Sequence, residues 1–304
     1  RVLSDILPAS STKDLPRVIK FLVATTDESN AAITVDAFRE NLIVVSPQFV
    51  EDTLTISDTD LFIFSQLKDA LQFNHDFCKS FILALEFCNG EFGTLDVWVL
   101  FCLYSIFPMK QKAQQMISKM SGKSLTTKSI ETAVVGHKSA IECISSSMID
   151  LMNWMIGSNI DNVSKNGIIL ASTLFNEIED IGSLQDIVGT LLIQIEIGDE
   201  PNKKKVISVL EFISIDYPNK LKAFSQLIQG FLWSSNASNP HLYSVMASIT
   251  ARLAFEKVED IESQQGTQIS IGFTKMMSSI HPNYKELGVI GAAAVINRID
   301  EISD

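Results

Sequence analysis

Apolar residues recur at three- and four-residue spacing in segment after segment of this chain, and sustained strict alternation is scarce. That period lines apolar side chains along one stripe of an α-helix rather than one face of a strand, so helices are the expected building element. The stretch L-P-R-V-I-K-F-L-V over Leu15–Val23 reads as an amphipathic helix, with Pro16 in its first turn, where its missing N–H goes unnoticed. Further helices are expected over about 31–44, 58–73 (led by Asp58-Thr59-Asp60), 76–87 and 95–106 (capped by Thr94 and apolar on most faces). Beyond Pro108 the pattern predicts helices over about 108–121, 126–134, 138–157, 162–178, 182–196, 202–215, 219–233, 240–255, 260–279 and 283–299. Successive starts lie about 20 residues apart, so helix pairs recur at about 40, the period of HEAT and armadillo arrays, although no residue-level consensus accompanies it. The expected fold is all-α: an α-solenoid of HEAT/armadillo-like antiparallel helical repeats. It should run through 1–304 as one helical-repeat segment, with a minor break near 45–57 and no separate catalytic domain.

Composition changes this picture little. Hydrophobic residues at 46% and charged residues at 20% are those of an ordinary folded chain, and no polar or Pro/Gly-rich tract suggests disorder. The start at Arg1-Val2-Leu3, without Met or an apolar h-region, reads as an internal fragment lacking a secretory signal. The apolar run Leu287–Ile296 is about half of what a bilayer requires, so a soluble chain is expected. Cys78, Cys88, Cys102 and Cys143 form no C-x-x-C pair, and their irregular spacing in apolar surroundings suits reduced, buried thiols of cytosol or nucleus. A formal charge of -12 opposes unaided wrapping of nucleic acid and leaves room only for a local basic patch.

One such patch exists. Between 108 and 138, Lys110, Lys112, Lys119, Lys123, Lys128 and Lys138 face a single acidic residue, Glu131. A solvated helix face is the simpler reading; contact of Lys110, Lys112, Lys119, Lys123 and Lys128 with DNA backbone or an acidic partner is the functional one. No aromatic residue is interleaved, so base stacking is not indicated. Lys203-Lys204-Lys205 is a shorter cluster of the same kind.

Catalytic constellations are wanting. His75 and Cys78 share a helix face but have no second ligand pair, and Glu131, His137 and Cys143 are near only in sequence, which is not triad geometry. Gly122-Lys123-Ser124 lacks the glycine spacing of a phosphate loop and reads as a helix C-cap. The sequons at Asn162 and Asn236 carry no weight without a secretory signal. No catalytic residue, metal or other cofactor is expected. The last helix is more unusual. Pro282 opens it, and Lys285, Gly288 and Ala292 lie at 0, +3 and +7, so the lysine is expected on a face with little side-chain bulk that another chain could approach closely.

Three segments carry a resemblance. Asp5-Ile6-Leu7-Pro8-Ala9-Ser10-Ser11-Thr12-Lys13-Asp14-Leu15-Pro16-Arg17-Val18-Ile19-Lys20-Phe21-Leu22, then Asp96-Val97-Trp98-Val99-Leu100-Phe101-Cys102-Leu103-Tyr104-Ser105, then Tyr284-Lys285-Glu286-Leu287-Gly288-Val289-Ile290-Gly291-Ala292 follow the order of similar segments in the Fanconi anaemia group D2 family. The resemblance implies part of the N-terminal half of a longer nuclear α-solenoid. Such a protein pairs with the Fanconi anaemia group I protein and closes on double-stranded DNA in interstrand crosslink repair. It also implies that Lys285 is the monoubiquitination site, served by a conjugating enzyme and a ubiquitin ligase and reversed by a deubiquitinase. Glu286 stands where the family usually has an aliphatic residue, a departure that bears on ligase recognition. The alternative left by the residues alone is a generic helical-repeat adaptor in which Lys285 is merely solvated.

Overall fold

A computed structural model describes residues 15–41, 53–234, 239–257, 260 and 263–303. The helices there are α1 (Leu15–Ala24), α2 (Ala31–Asn41), α3 (Thr53–Phe73), α4 (His75–Glu86), α5 (Thr94–Ser105), α6 (Lys110–Met120), α7 (Thr127–Val134), α8 (Lys138–Glu142), α9 (Ser145–Ile156), α10 (Asp161–Glu177), α11 (Ile181–Ile197), α12 (Glu200–Asp216), α13 (Pro218–Lys222), α14 (Ser225–Ser234), α15 (Pro240–Ala254), α16 (Gln264–Met277) and α17 (Pro282–Ser303). No strand occurs among the described residues; an isolated bridge joins Ser121 and Leu125. The chain is therefore all-α with short connections, the helical-repeat class that the spacing predicts. By compactness it divides into two units, Arg1–Ser183 and Leu184–Asp304. The break expected near 45–57 falls mostly on residues 42–52, outside the described residues, and α3 is already helical from Thr53 rather than from Asp58. The Ser/Thr-rich start of α3 reads as a loop because those residues favour caps and turns, a weak preference that context overrides.

In the first unit the core is built around α5, in which every residue from Leu95 to Tyr104 is buried. It packs against α3, α6, α7 and α9, so it has no solvent face to carry polar residues. Trp98 lies fully buried, edge-on to Phe64 at 5.4 Å and to His137 at 5.1 Å. Its Nε1–H donates to the Ala133 carbonyl at 2.8 Å, which satisfies the one polar group that burial would leave stranded. Asn74 serves the N-terminal helices in a similar way. Its Oδ1 accepts the Phe77 N–H as the cap of α4, and its Nδ2 donates to the Val23 and Thr26 carbonyls at the end of α1.

The start of α5 corrects the sequence reading. Gly93, not Thr94, is the N-cap, and its N–H is taken by the Asp96 carboxylate at 3.3 Å. The same carboxylate receives Arg39 of α2, Nε at 2.8 Å and Nη2 at 3.1 Å, in a two-pronged pair. Asp96 thus holds the guanidinium charged while satisfying a helix terminus.

In the second unit α15 packs on α12, α13 and α14, and α17 packs on both α15 and α16. Phe273 of α16 is fully buried and meets Trp233 of α14 edge-on at 5.0 Å.

Two predicted helices prove to be broken, and they break alike. The segments 138–157 and 219–233 each consist of a five-residue helix, a tight turn and a longer helix: α8 with α9, and α13 with α14, starting at 138 and 218. Ile144 donates to the Ile141 carbonyl and Phe224 to that of Leu221, i to i−3 bonds that close each turn. The breaks escape a periodicity reading because Ile141/Ile144/Met148 and Leu221/Phe224/Ile228 keep helical spacing across the turn, and all six are buried. A structural repeat about 80 residues long, twice the expected helix-pair period, is therefore visible in the backbone where no consensus marks it in the sequence.

Candidate modification site

The site is built by the corner between α16 and α17. Ser278 closes α16, the Ser279 hydroxyl accepts the His281 N–H at 3.2 Å, and Pro282 opens α17 with the φ that a first helical residue needs. One turn on, the Lys285 N–H donates to the His281 carbonyl at 3.1 Å, so the lysine backbone belongs to the first hydrogen-bonded turn of a 22-residue helix. Lys285 is exposed, as are Ile280, Tyr284, Glu286 and Val289 around it. The opposite side of the helix is buried: Leu287, Gly288, Gly291, Ala294 and Val295.

Here the structure overturns an expectation. The small residues after Lys285 do not form a face open to another chain, because Gly288 and Gly291 are spent on α16 of the same unit. A Cβ on Gly288 would stand 2.6 Å from the Met277 backbone nitrogen, and one on Gly291 would stand 2.0 Å from the Phe273 ring. Ala292 is half-buried. The lysine is therefore presented on a side distinct from the one that packs.

The basic island divides in space. Lys110 pairs with Asp150 of α9 and lies over the Tyr104 ring at 5.0 Å, and its ammonium is held above the ordinary lysine value by that carboxylate. Lys112 pairs with Glu86 of α4 at 2.7 Å, a hydrogen bond that holds the Glu86 carboxyl below its usual range. Lys138 pairs with Glu179 and, at 4.0 Å, with Glu142. These acids lie outside the stretch that looked basic, or at its edge, so counting charges along the sequence missed them. Lys119, Lys123 and Lys128 are exposed and have no ion pair among the described residues. Lys119 and Lys123 flank a cleft of about 580 Å³ that also borders Cys88, Glu91 and Ser124.

A family model described as "Fanconi anaemia protein FancD2 nuclease" matches residues 44–303, which contain both Lys285 and the lysine stretch. The chain belongs to the FancD2 family. It is similar to the Fanconi anemia group D2 protein of Gallus gallus, at 22% identity over 97% of this chain and 22% of that protein. It is also similar to the Fanconi anemia group D2 protein homolog of Mus musculus, at 20% identity over 93% of this chain and 21% of that protein. The chain spans about a fifth of the length of these FancD2 relatives.

The family description includes the word nuclease, which directs attention to metal-ligating groups. Among the described residues no set of three or more His, Cys, Asp or Glu is placed to hold a metal ion. His75 is exposed at the first position of α4 and Cys78 is buried; both border one cavity of about 640 Å³, and no third ligand joins them in a metal-holding set among the described residues. Against the expectation of buried thiols, Cys143 is exposed and its thiol donates to the Ala140 carbonyl at 3.0 Å, while His137 is buried and packed edge-on against Trp98. Gly122 is the expected helix terminator: it follows Ser121, the C-cap of α6, at φ 78°, the left-handed conformation that glycine tolerates. Lys203, Lys204 and Lys205 lie near the start of α12, behind its Asp199 cap. The feature that sequence reasoning missed outright is the Arg39–Asp96 pair. Its one local sign is an acid three residues after a glycine at a helix start.

Proposed function

We propose that this chain is a non-catalytic scaffold segment of a nuclear DNA interstrand crosslink repair protein, regulated by attachment of one ubiquitin to Lys285. The observation that carries the reading is the placement of Lys285: exposed, in the first hydrogen-bonded turn of a helix whose other side is locked to its neighbours. Family membership and the similarity of the Tyr284–Ala292 segment support it. In this reading the chain's part is to present an amine at a fixed position, and the conjugating enzyme and ligase supply activation of ubiquitin and orientation of the reacting groups. Removal by a deubiquitinase needs the same access.

The same proposal has the whole protein pair with the Fanconi anaemia group I protein and clamp double-stranded DNA. Lys119, Lys123 and Lys128 are the lysines of the basic stretch best placed to meet phosphates, since Lys110 and Lys112 are already paired. Lys285→Arg in the full-length protein, reconstituted with the group I protein, DNA, ligase and conjugating enzyme, should abolish site-specific monoubiquitination and leave pairing intact. Undiminished modification of the Arg variant would sink the acceptor assignment. Failure of the wild-type protein to co-purify with the group I protein would favour a generic helical adaptor.

A further inference from the structure

We propose that Gly288 and Gly291 are positioning residues for Lys285: by letting α17 seat backbone-close on α16 they fix where the lysine amine emerges. This rests on Lys285 being the ubiquitin acceptor. The nearest contact at Gly288 is with main chain: an added Cβ would lie 2.6 Å from the Met277 nitrogen and 3.0 Å from the Met276 carbonyl carbon, with the Met277 Cγ at 2.9 Å. Main chain inside a helix cannot swing aside as a side chain can, so the helix itself would have to move. At Gly291 the obstacle is the Phe273 ring, 2.0 to 2.5 Å from the same hypothetical atom. That ring is confined in turn, being 1% exposed and edge-on to Trp233. Farther along, Arg298 Nε donates to the Phe255 carbonyl at 2.9 Å and holds the C-terminal half of α17.

Gly288 lies three residues from Lys285, about 4.5 Å along the helix axis, so a displacement there reaches the first turn undiminished. In the transfer step the neutral Lys285 amine adds to the carbonyl carbon of the ubiquitin thioester. A C–N bond forms, the C–S bond breaks, and the cysteine sulfur of the conjugating enzyme leaves with the proton that the amine sheds. No oxidant or reductant is involved. Such a step depends steeply on placement: a shift of about 1 Å in a reacting group can cost on the order of a hundredfold in rate. The side chain of Lys285, being exposed, should keep its ordinary reactivity toward a small reagent that needs no docking.

The test uses the full-length protein in the reconstituted conjugation reaction. Gly288→Ala and Gly291→Ala should each slow ubiquitin transfer to Lys285 by roughly tenfold, while its acylation by N-hydroxysuccinimidyl acetate stays within about twofold of wild type. Loss of folding would instead lower the midpoint of urea unfolding, so that measurement on each variant separates position from integrity. Gly291→Ala combined with Phe273→Leu removes Cε1, the ring atom nearest the new methyl, together with Cζ, and should restore part of the transfer rate. Unchanged transfer in both glycine variants, or a loss that the double variant leaves uncorrected, would overturn the positioning role. Lys285→Arg run in parallel keeps that outcome apart from failure of the acceptor assignment, which would show as modification persisting in the Arg variant.

Discussion

Asp96 ties two helices together with one carboxylate, receiving the Gly93 N–H at the start of α5 and both prongs of Arg39 from α2. Removing it strands a partly buried guanidinium and uncaps a helix that has no solvent face. Asp96→Ala should therefore destabilise the chain by about 2–4 kcal/mol, read as a lower midpoint in urea with an unchanged slope. Asp96→Asn, which can still accept the Gly93 N–H, should lose less. The Arg39 half of this arrangement is not legible in the sequence, because the partners are 57 residues apart and no spacing rule connects them. Lys285 shows the opposite balance. Its helix, its place in the first turn and the small residues beyond it follow from the order of residues alone. What the sequence could not show is which surface those small residues serve, since a glycine face fits a neighbouring helix of the same chain as readily as a visitor.

At the scale of elements, hydrophobic period located nearly every helix to within a few residues, because burial of an apolar stripe is what selects the helices in the first place. It failed at the turns after α8 and α13, where the apolar stripe continues while the backbone does not. Punctuation by glycine was a surer guide. Gly122 holds φ 78° in the turn after α6, and a Cβ there would also stand 2.1 Å from the Asn162 side-chain nitrogen. Gly122→Ala should cost about 1–2 kcal/mol in thermal or urea unfolding. Stability equal to wild type would mean that the turn can adopt another conformation.

The 304-residue chain carries a net charge of -12, yet three exposed lysines between 119 and 128 remain without ion pairs among the described residues. If they meet DNA within the full complex, Lys119→Glu, Lys123→Glu and Lys128→Glu together should weaken binding at low salt. The slope of log affinity against log salt should then shrink by about 2–3, close to one per lost phosphate contact. The same DNA, incubated with magnesium, should be recovered uncut if the chain is a scaffold; cleavage that a chelator stops would reopen the question raised by the family's description. Folding at this scale has an order as well as an architecture. A ribosome makes Arg39 before Asp96, and at 5–20 residues per second the intervening 57 residues take about 3–11 s to synthesise. Through that interval Arg39 is without the Asp96 carboxylate, so α2 is tied in place by a residue that is made after it.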